Sequence, residues 1–352
     1  MKRLVCCQGS LQLITAIAAL KYRVNSSSRT SADTLLIFDV SEEFSLWIKK
    51  IAEKIWKFEK ILTISKIDEV EVLNEKDFAE IFVCRNWQPG NEYLLRKFKA
   101  SIKIGYGDGI GYFFGPDLFQ RRNIWTRIRQ DFLRRRENLD LGIYLLPEIF
   151  NEVPDHKVEV PSSKYLLETI DDCAAQFYDV LNDRKPNHFV NDSVLLVLPG
   201  NYSAVFRTGK EDGSVESIYQ EIDAYVKKIS LYVAQRKTNP FVIVKPHPRA
   251  TSLQNQVLKE RIKNAMNLNA YVIETPESYF PIEILCKAWK IKNADVLTFT
   301  TAGVPMKVIF DFNIDVGFGE KILKESFGNN MVMVRTENVL QEAIRKVSCR
   351  SI

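Results

Sequence analysis

Along the chain, short apolar runs alternate with longer stretches whose apolar residues recur three and four apart. In the first half, "RLVCC", "TLLIFDV", "KILTISK", "AEIFVCR" and "SIKIGYG" are brief, apolar and rich in β-branched residues, which predicts strands. Between them, 41–58 ("SEEFSLWIKKIAEKIWKF") and 91–100 ("NEYLLRKFKA") have helical spacing. The opening "RLVCC", "QGS" and "LQLITAIAALKYR" reads as strand, turn and helix, with Ser10 as the helix cap. The second half restarts the pattern, predicting strands over 193–200, 241–249, 270–276, 294–303, 305–312 and 331–336. Helices are expected over 215–236, 252–266, 281–290 and 337–347.

Such alternation indicates parallel sheets with helices on both faces. The length, 352 residues, suits two domains. Two proline-bearing polar segments, "NEVPDHKVEVPSS" and "LNDRKPNHFVND", flank a helical stretch at 164–181 and place a connector near the middle. The expected architecture is α/β: two doubly wound, Rossmann-like domains facing across a cleft. They span 1–155 and 193–352, with the connector over 156–192.

Composition narrows the chemistry. Six scattered cysteines contain no C-x-x-C pair, which argues against a zinc site or a disulfide framework and suits a reducing cytoplasm. Only three histidines, His156, His188 and His247, are present. The basic, apolar start is interrupted by Gln8 and Gln12, so neither an export signal nor a membrane span is expected. Net charge is +5, and seven arginines crowd into 121–136 among apolar residues at helical spacing. Such a helix either lies against an anionic membrane surface or packs its apolar stripe inward and solvates its arginines.

Ligands of open parallel sheets bind beyond the carboxyl ends of the strands, so candidate chemistry belongs at the strand ends. "VIVKPHPR" ends a strand with Lys245, then His247 between two prolines that stiffen its backbone. A histidine held this way can hydrogen-bond a phosphate or protonate a leaving one. "DVLTFTTAG" runs into Thr300 and Thr301, whose hydroxyls can meet an anion at a helix start or cap the helix. Glu283 falls at the next expected helix start, where a carboxylate can hold ribose hydroxyls or serve as ordinary helix decoration. Gly200, in "LVLPGNYS", allows close backbone approach or a tight turn. In "KIGYGDGIGYFFG" five glycines surround Asp108, and no register gives G-x-G-x-x-G. Here a sugar ring could lie against bare backbone at Gly107 and Gly109 while Asp108 acts as a base. The plain alternative is an acid that stabilises a glycine-rich turn. No D-x-D triplet occurs.

Taken in order, Gly107-Asp108-Gly109, His247-Pro248 and Thr300-Thr301 resemble the acidic, H-P and paired Ser/Thr motifs of bacterial GT-B sialyltransferases. The α-2,8-polysialyltransferase family is nearest in pattern. Glu283 in "FPIE" and the opening "CQGSLQLITAI" are similar to segments of the same group. One departure is that Gly107 stands where the family carries the first of two acids, which leaves Asp108 as the only acid of the motif. The resemblance implies an inverting, metal-independent transferase with no cofactor, acting on a CMP-sialic acid donor and a glycan acceptor. Asp108 is the implied base. His247, Thr300 and Thr301 are implied to stabilise the CMP phosphate, with added charge from Lys245. A cytoplasmic enzyme, peripheral on the inner membrane face through 121–136 and without a nucleic-acid partner, is the expected setting. Rival readings are a GT-B enzyme using CMP-Kdo, a CDP-glycerol phosphotransferase, or a non-catalytic protein binding polyanionic glycans.

Overall fold

The computed structural model describes residues 1–25, 32–72, 77–84, 88–107, 139–144, 156–186, 193–200, 215–236, 239–247, 250–268, 270–328 and 330–348. Asp108, Gly109 and the arginine-rich 121–136 lie outside the described residues. The chain groups into two compact units. One holds the described residues up to Tyr178 together with Tyr279–Ala288; the other holds Asp179–Ser278 and those from Trp289 on.

The first unit is built on β1 (Lys2–Cys7), β2 (Ala32–Phe38), β3 (Lys60–Ile64), β4 (Asp77–Val83), β5 (Lys99–Gly107), β6 (Leu141–Tyr144) and β7 (Lys157–Glu159). They form one sheet in the order β3-β2-β1-β4-β5-β6-β7, and every neighbouring pair is parallel. The central strands are buried along nearly their whole length, which explains why they read as unbroken apolar runs. One charged pair interrupts this core. Arg3 and Asp33 are register partners on β1 and β2, 1% and 4% exposed. The guanidinium makes two hydrogen bonds to the carboxylate, at 2.6 and 2.9 Å, and the Trp56 indole N–H donates a third at 2.9 Å. A bidentate geometry with the remaining lone pairs satisfied is what makes a buried ion pair tolerable.

The glycines of β5 have a packing cause. Gly105 and Gly142 are register partners on β5 and β6. A Cβ on Gly105 would sit 2.3 Å from the Tyr144 phenol oxygen, and one on Gly142 would sit 2.3 Å from a Tyr144 ring carbon. The Tyr144 ring therefore covers both positions, and its hydroxyl meets His156 Nε2 at 3.3 Å. Above Gly105 the space thus belongs to Tyr144. Gly107 closes β5 with φ +139°, a backbone that side-chain-bearing residues rarely adopt.

The expectation for Ser10 is corrected. It is the first residue of the Ser10–Asn25 helix, and its buried hydroxyl donates to the Tyr279 carbonyl at 2.5 Å instead of capping the helix. The segment drawn as a connector, 156–192, contains β7 and two helices, Lys164–Gln176 and Tyr178–Asn182. Residues to Tyr178 belong to the first unit.

The second unit carries β8 (Val194–Leu198), β9 (Phe241–Val244), β10 (Ala270–Val272), β11 (Asp295–Thr298) and β12 (Asn313–Val316). Their order is β10-β9-β8-β11-β12, again all parallel. In both units the first strand lies inside the sheet and the chain reverses direction across it. That is the doubly wound order, with switch points between β1 and β4 and between β8 and β11.

Two expected strands are helices. Residues 305–312 fall mostly in the Gly303–Phe310 helix, and the strand that follows is Asn313–Val316. Neighbouring parallel strands need a crossover, and only this segment can supply one between β11 and β12. Residues 331–336 open the Met331–Ser348 helix. Its buried residues Met333, Thr336, Glu337, Leu340, Ala343 and Val347 recur at helical spacing, which six residues alone do not reveal.

Candidate functional site

The switch point of the second unit lies between the ends of β8 and β11. β8 ends at Leu198 and leads to Gly200; β9 ends at Val244 and leads through Lys245 to His247; β11 ends at Thr298 and leads to Thr300 and Thr301. These three strands are adjacent. At about 4.8 Å per strand, the outer two ends are roughly 10 Å apart. Five of the sequence-predicted residues thus leave three neighbouring strands at one edge of one sheet.

Hydrogen bonds tie these strand ends together. Thr298 is 2% exposed and donates from Oγ1 to the Leu198 carbonyl at 3.2 Å. The Thr300 N–H donates to Thr298 Oγ1 at 3.0 Å, and the two hydroxyl oxygens are 2.9 Å apart. Thr300 Oγ1 in turn accepts the Ala302 N–H at 3.2 Å, and the Thr301 carbonyl accepts the Val304 N–H at 3.1 Å. The Gly303–Phe310 helix starts here, drawn close to the sheet because Gly303 has no side chain. A Cβ there would lie 2.9 Å from the Thr298 methyl. Sequence reading missed Thr298. The signal was available, since it stands two residues before Thr300 and so shares its face of the strand.

Tyr225 is the second missed residue. Its phenol is buried, accepts the Gly200 N–H at 3.1 Å and donates to the Leu198 carbonyl at 3.4 Å. Burial first, and the Glu221 charge second, push its pKa well above the ordinary value, so the phenol keeps its proton. Phe318 packs edge-on against Tyr225 and stacks on Phe299, with centroids 4.9 and 5.0 Å apart. The backbone of Phe318 is held by Glu337, whose carboxylate accepts the N–H groups of Phe318 at 2.8 Å and Gly319 at 3.0 Å. Burial raises the Glu337 pKa, and those two hydrogen bonds oppose the rise. Gly317, with φ +95°, leaves room for that carboxylate: a Cβ would sit 2.3 Å from its carbon.

Lys245 is 9% exposed, and its ammonium donates to the carbonyls of Ser278 at 2.6 Å and Pro246 at 3.2 Å. Those bonds make it a brace for the β9 exit. His247 is half-buried behind Pro246, and its carbonyl accepts the Ala250 N–H at 2.8 Å. Beside it lies a pocket of about 30 Å³ lined by Pro199, Glu221, Tyr225, Gln254 and Asn255 among others. Gln254 is fixed by a reciprocal capping box with Thr251 at the start of the Ser252–Met266 helix.

Glu283 lies in the first turn of the Ile282–Ala288 helix, 1% exposed, in the segment that groups with the first unit. Gly107 is also in the first unit, while Asp108 and Gly109 are outside the described residues. Among the described residues, no group of three or more His, Cys, Asp or Glu side chains could hold a metal ion. Among them, too, no helix is long and apolar enough to cross a membrane.

Fold and site thus define an α/β protein of two doubly wound parallel units, the second with a hydroxyl-lined switch point. No family model matches the chain, and no curated protein does. It is similar to solved structures of E. coli heptosyltransferase WaaC. With ADP-2-deoxy-2-fluoro heptose, the identity is 10%, the coverage 98% of this chain and 99% of that one, and the TM-score 0.36. With ADP, the figures are 11%, 99%, 98% and 0.36. It is likewise similar to the GT-B domain of a Photobacterium damselae sialyltransferase, at 9% identity, 97% and 98% coverage and a TM-score of 0.40.

Proposed function

We propose that the protein is an inverting, metal-independent glycosyltransferase of the GT-B type that takes sialic acid from CMP-sialic acid to a glycan hydroxyl. The observation that carries the reading is the Thr298–Thr300–Ala302 hydrogen-bond chain, held at a doubly wound switch point one strand away from the His247 turn. The sequence resemblance of the Gly-Asp-Gly, His-Pro and Thr-Thr motifs supplies the donor.

In this reading the acceptor oxygen forms a bond to the anomeric carbon as the bond from that carbon to the phosphate oxygen breaks. The acceptor proton passes to Asp108, and CMP departs with the electron pair. The anomeric carbon passes through an oxocarbenium-like state, and the single displacement inverts its configuration. His247 and the hydroxyls of Thr300 and Thr301 stabilise the charge that builds on the phosphate, donors already in place before reaction. Lys245 serves by holding the His247 turn, Gly200 by its small profile, and Glu283 by accepting from ribose hydroxyls. Gly107 and Gly109 flank the base on the acceptor side.

A thermal-shift measurement with CMP in the presence of EDTA tests the reading. A rise in melting temperature with CMP is expected. No rise with CMP, but one with UDP or GDP, would reject the sialyl donor.

A further inference from the structure

Three hydroxyls meet at the β8 and β11 exits, and each brings a single hydrogen. Thr298 at 3.2 Å and Tyr225 at 3.4 Å both reach the Leu198 carbonyl. Thr298 and Thr300 also face each other at 2.9 Å, a contact in which either oxygen can be the donor. We propose that Tyr225 is a positioning residue that sets the polarity of this contact and so makes Thr300 a hydrogen-bond donor to an anionic ligand. The proposal rests on the nucleotide reading of the preceding subsection.

A threonine hydroxyl donates one hydrogen bond and accepts two. If Thr298 spends its hydrogen on Leu198, Thr300 has to donate to Thr298. Thr300 Oγ1, which accepts the Ala302 N–H at 3.2 Å, then turns its second lone pair outward and repels a phosphate oxygen. If Tyr225 serves Leu198 instead, Thr298 donates to Thr300. Both lone pairs of Thr300 are then filled, by Thr298 and Ala302, and only its hydrogen is left for a ligand. The geometry favours this second arrangement. Tyr225 is 2% exposed, and burial raises its pKa, so the phenol keeps its hydrogen. Its oxygen is fixed beside the β8 exit by the Gly200 N–H at 3.1 Å, and Phe318 packs edge-on against the ring. Among the described residues the phenol hydrogen finds no acceptor besides Leu198. Thr298, by contrast, has a nearer acceptor in Thr300, at 2.9 against 3.2 Å.

The test is calorimetric titration of CMP and of cytidine, which lacks the phosphate, on wild type, Tyr225→Phe, Thr300→Val and the double variant. Wild type should prefer CMP. In Tyr225→Phe the Thr298 hydrogen turns to Leu198, and the preference should fall by about 10-fold, the scale of a hydrogen bond to a charged group. Cytidine affinity should stay within about 2-fold, because no base or ribose contact has changed. With Thr300 already replaced by valine, adding Tyr225→Phe should move the preference by less than about 2-fold, since the polarity has no hydroxyl left to act on. Equal losses of CMP and cytidine, an unchanged preference in Tyr225→Phe, or an undiminished effect in the double variant would each overturn the proposal. A wild type that binds CMP no better than cytidine rejects the phosphate at Thr300, and the nucleotide reading falls together with this one. Tyr225→Phe also strips the Gly200 N–H of its acceptor, so a readout without any variant accompanies it. In a neutron structure of the deuterated wild type, the Thr298 hydroxyl deuterium should lie toward Thr300. A deuterium lying toward Leu198 would overturn the assignment.

Discussion

Replacing Thr300 with valine removes one hydroxyl at nearly constant volume, and the consequences can be counted proton by proton. Thr298 and Thr300 own two hydroxyl hydrogens. The Leu198 carbonyl, the contact between the two hydroxyls and a bound phosphate make three demands on them. Tyr225 resolves the shortage, because its phenol also reaches Leu198 O. Thr298 can then donate to Thr300, and Thr300 to the phosphate. In Thr300→Val the Ala302 N–H loses its acceptor and Thr298 loses a partner. For a half-buried site the stability cost is about 1 kcal/mol, the low end for an orphaned donor. The loss at the ligand is larger, since a hydrogen bond to a charged phosphate is worth about 1.5–3 kcal/mol, or roughly 10- to 150-fold in affinity. Thr300→Ser restores the hydroxyl and should return most of both. Urea unfolding measures the first quantity, and calorimetric titration with CMP measures the second. If Thr300→Val binds CMP as tightly as wild type, the hydroxyl does not touch the phosphate and the reasoning fails.

Three further outcomes are expected. Asp33→Asn removes the carboxylate charge that pairs with the buried Arg3 guanidinium and should cost about 3–5 kcal/mol in urea unfolding; a loss under 1 kcal/mol would contradict the pairing. Because burial raises the Glu337 pKa, its stability contribution is full below the ordinary value of 4.5 and is lost as pH rises through the folded value. The stability advantage of wild type over Glu337→Gln should thus be larger at pH 4.5 than at pH 7.5, and an advantage that grows with pH would reverse the sign. Asp108→Asn should abolish sugar transfer while keeping CMP affinity within about 3-fold; undiminished transfer would remove Asp108 as the base.

Much of this was legible because parallel sheets write themselves plainly. A strand buried on both faces has to be a continuous apolar run, as "TLLIFDV" and "SVLLVLPG" are. The strand exits were visible for the same reason: Thr300, Lys245 and Gly200 are the first polar or flexible residues after such runs. What stayed hidden depends on partners far along the chain. The bareness of Gly105 belongs to Tyr144, and the Lys245 ammonium turns to Ser278, neither of which local spacing can indicate. Tyr225 and Glu337 sit mid-helix and look like ordinary core and surface residues until the loops they hold are seen. "PMKVIF" and "MVMVRT" misled because β-branched residues favour strands locally, whereas the crossover to β12 and the stripe from Met333 to Val347 demand helices.

The resting place of a nucleotide's phosphate decides whether the β11 exit is a donor site. A crystal structure with CMP and EDTA is the most direct measurement. A phosphate oxygen within about 3 Å of Thr300 Oγ1, with the His247 imidazole on the same group, is the predicted result. A phosphate seated against any other strand end would contradict it.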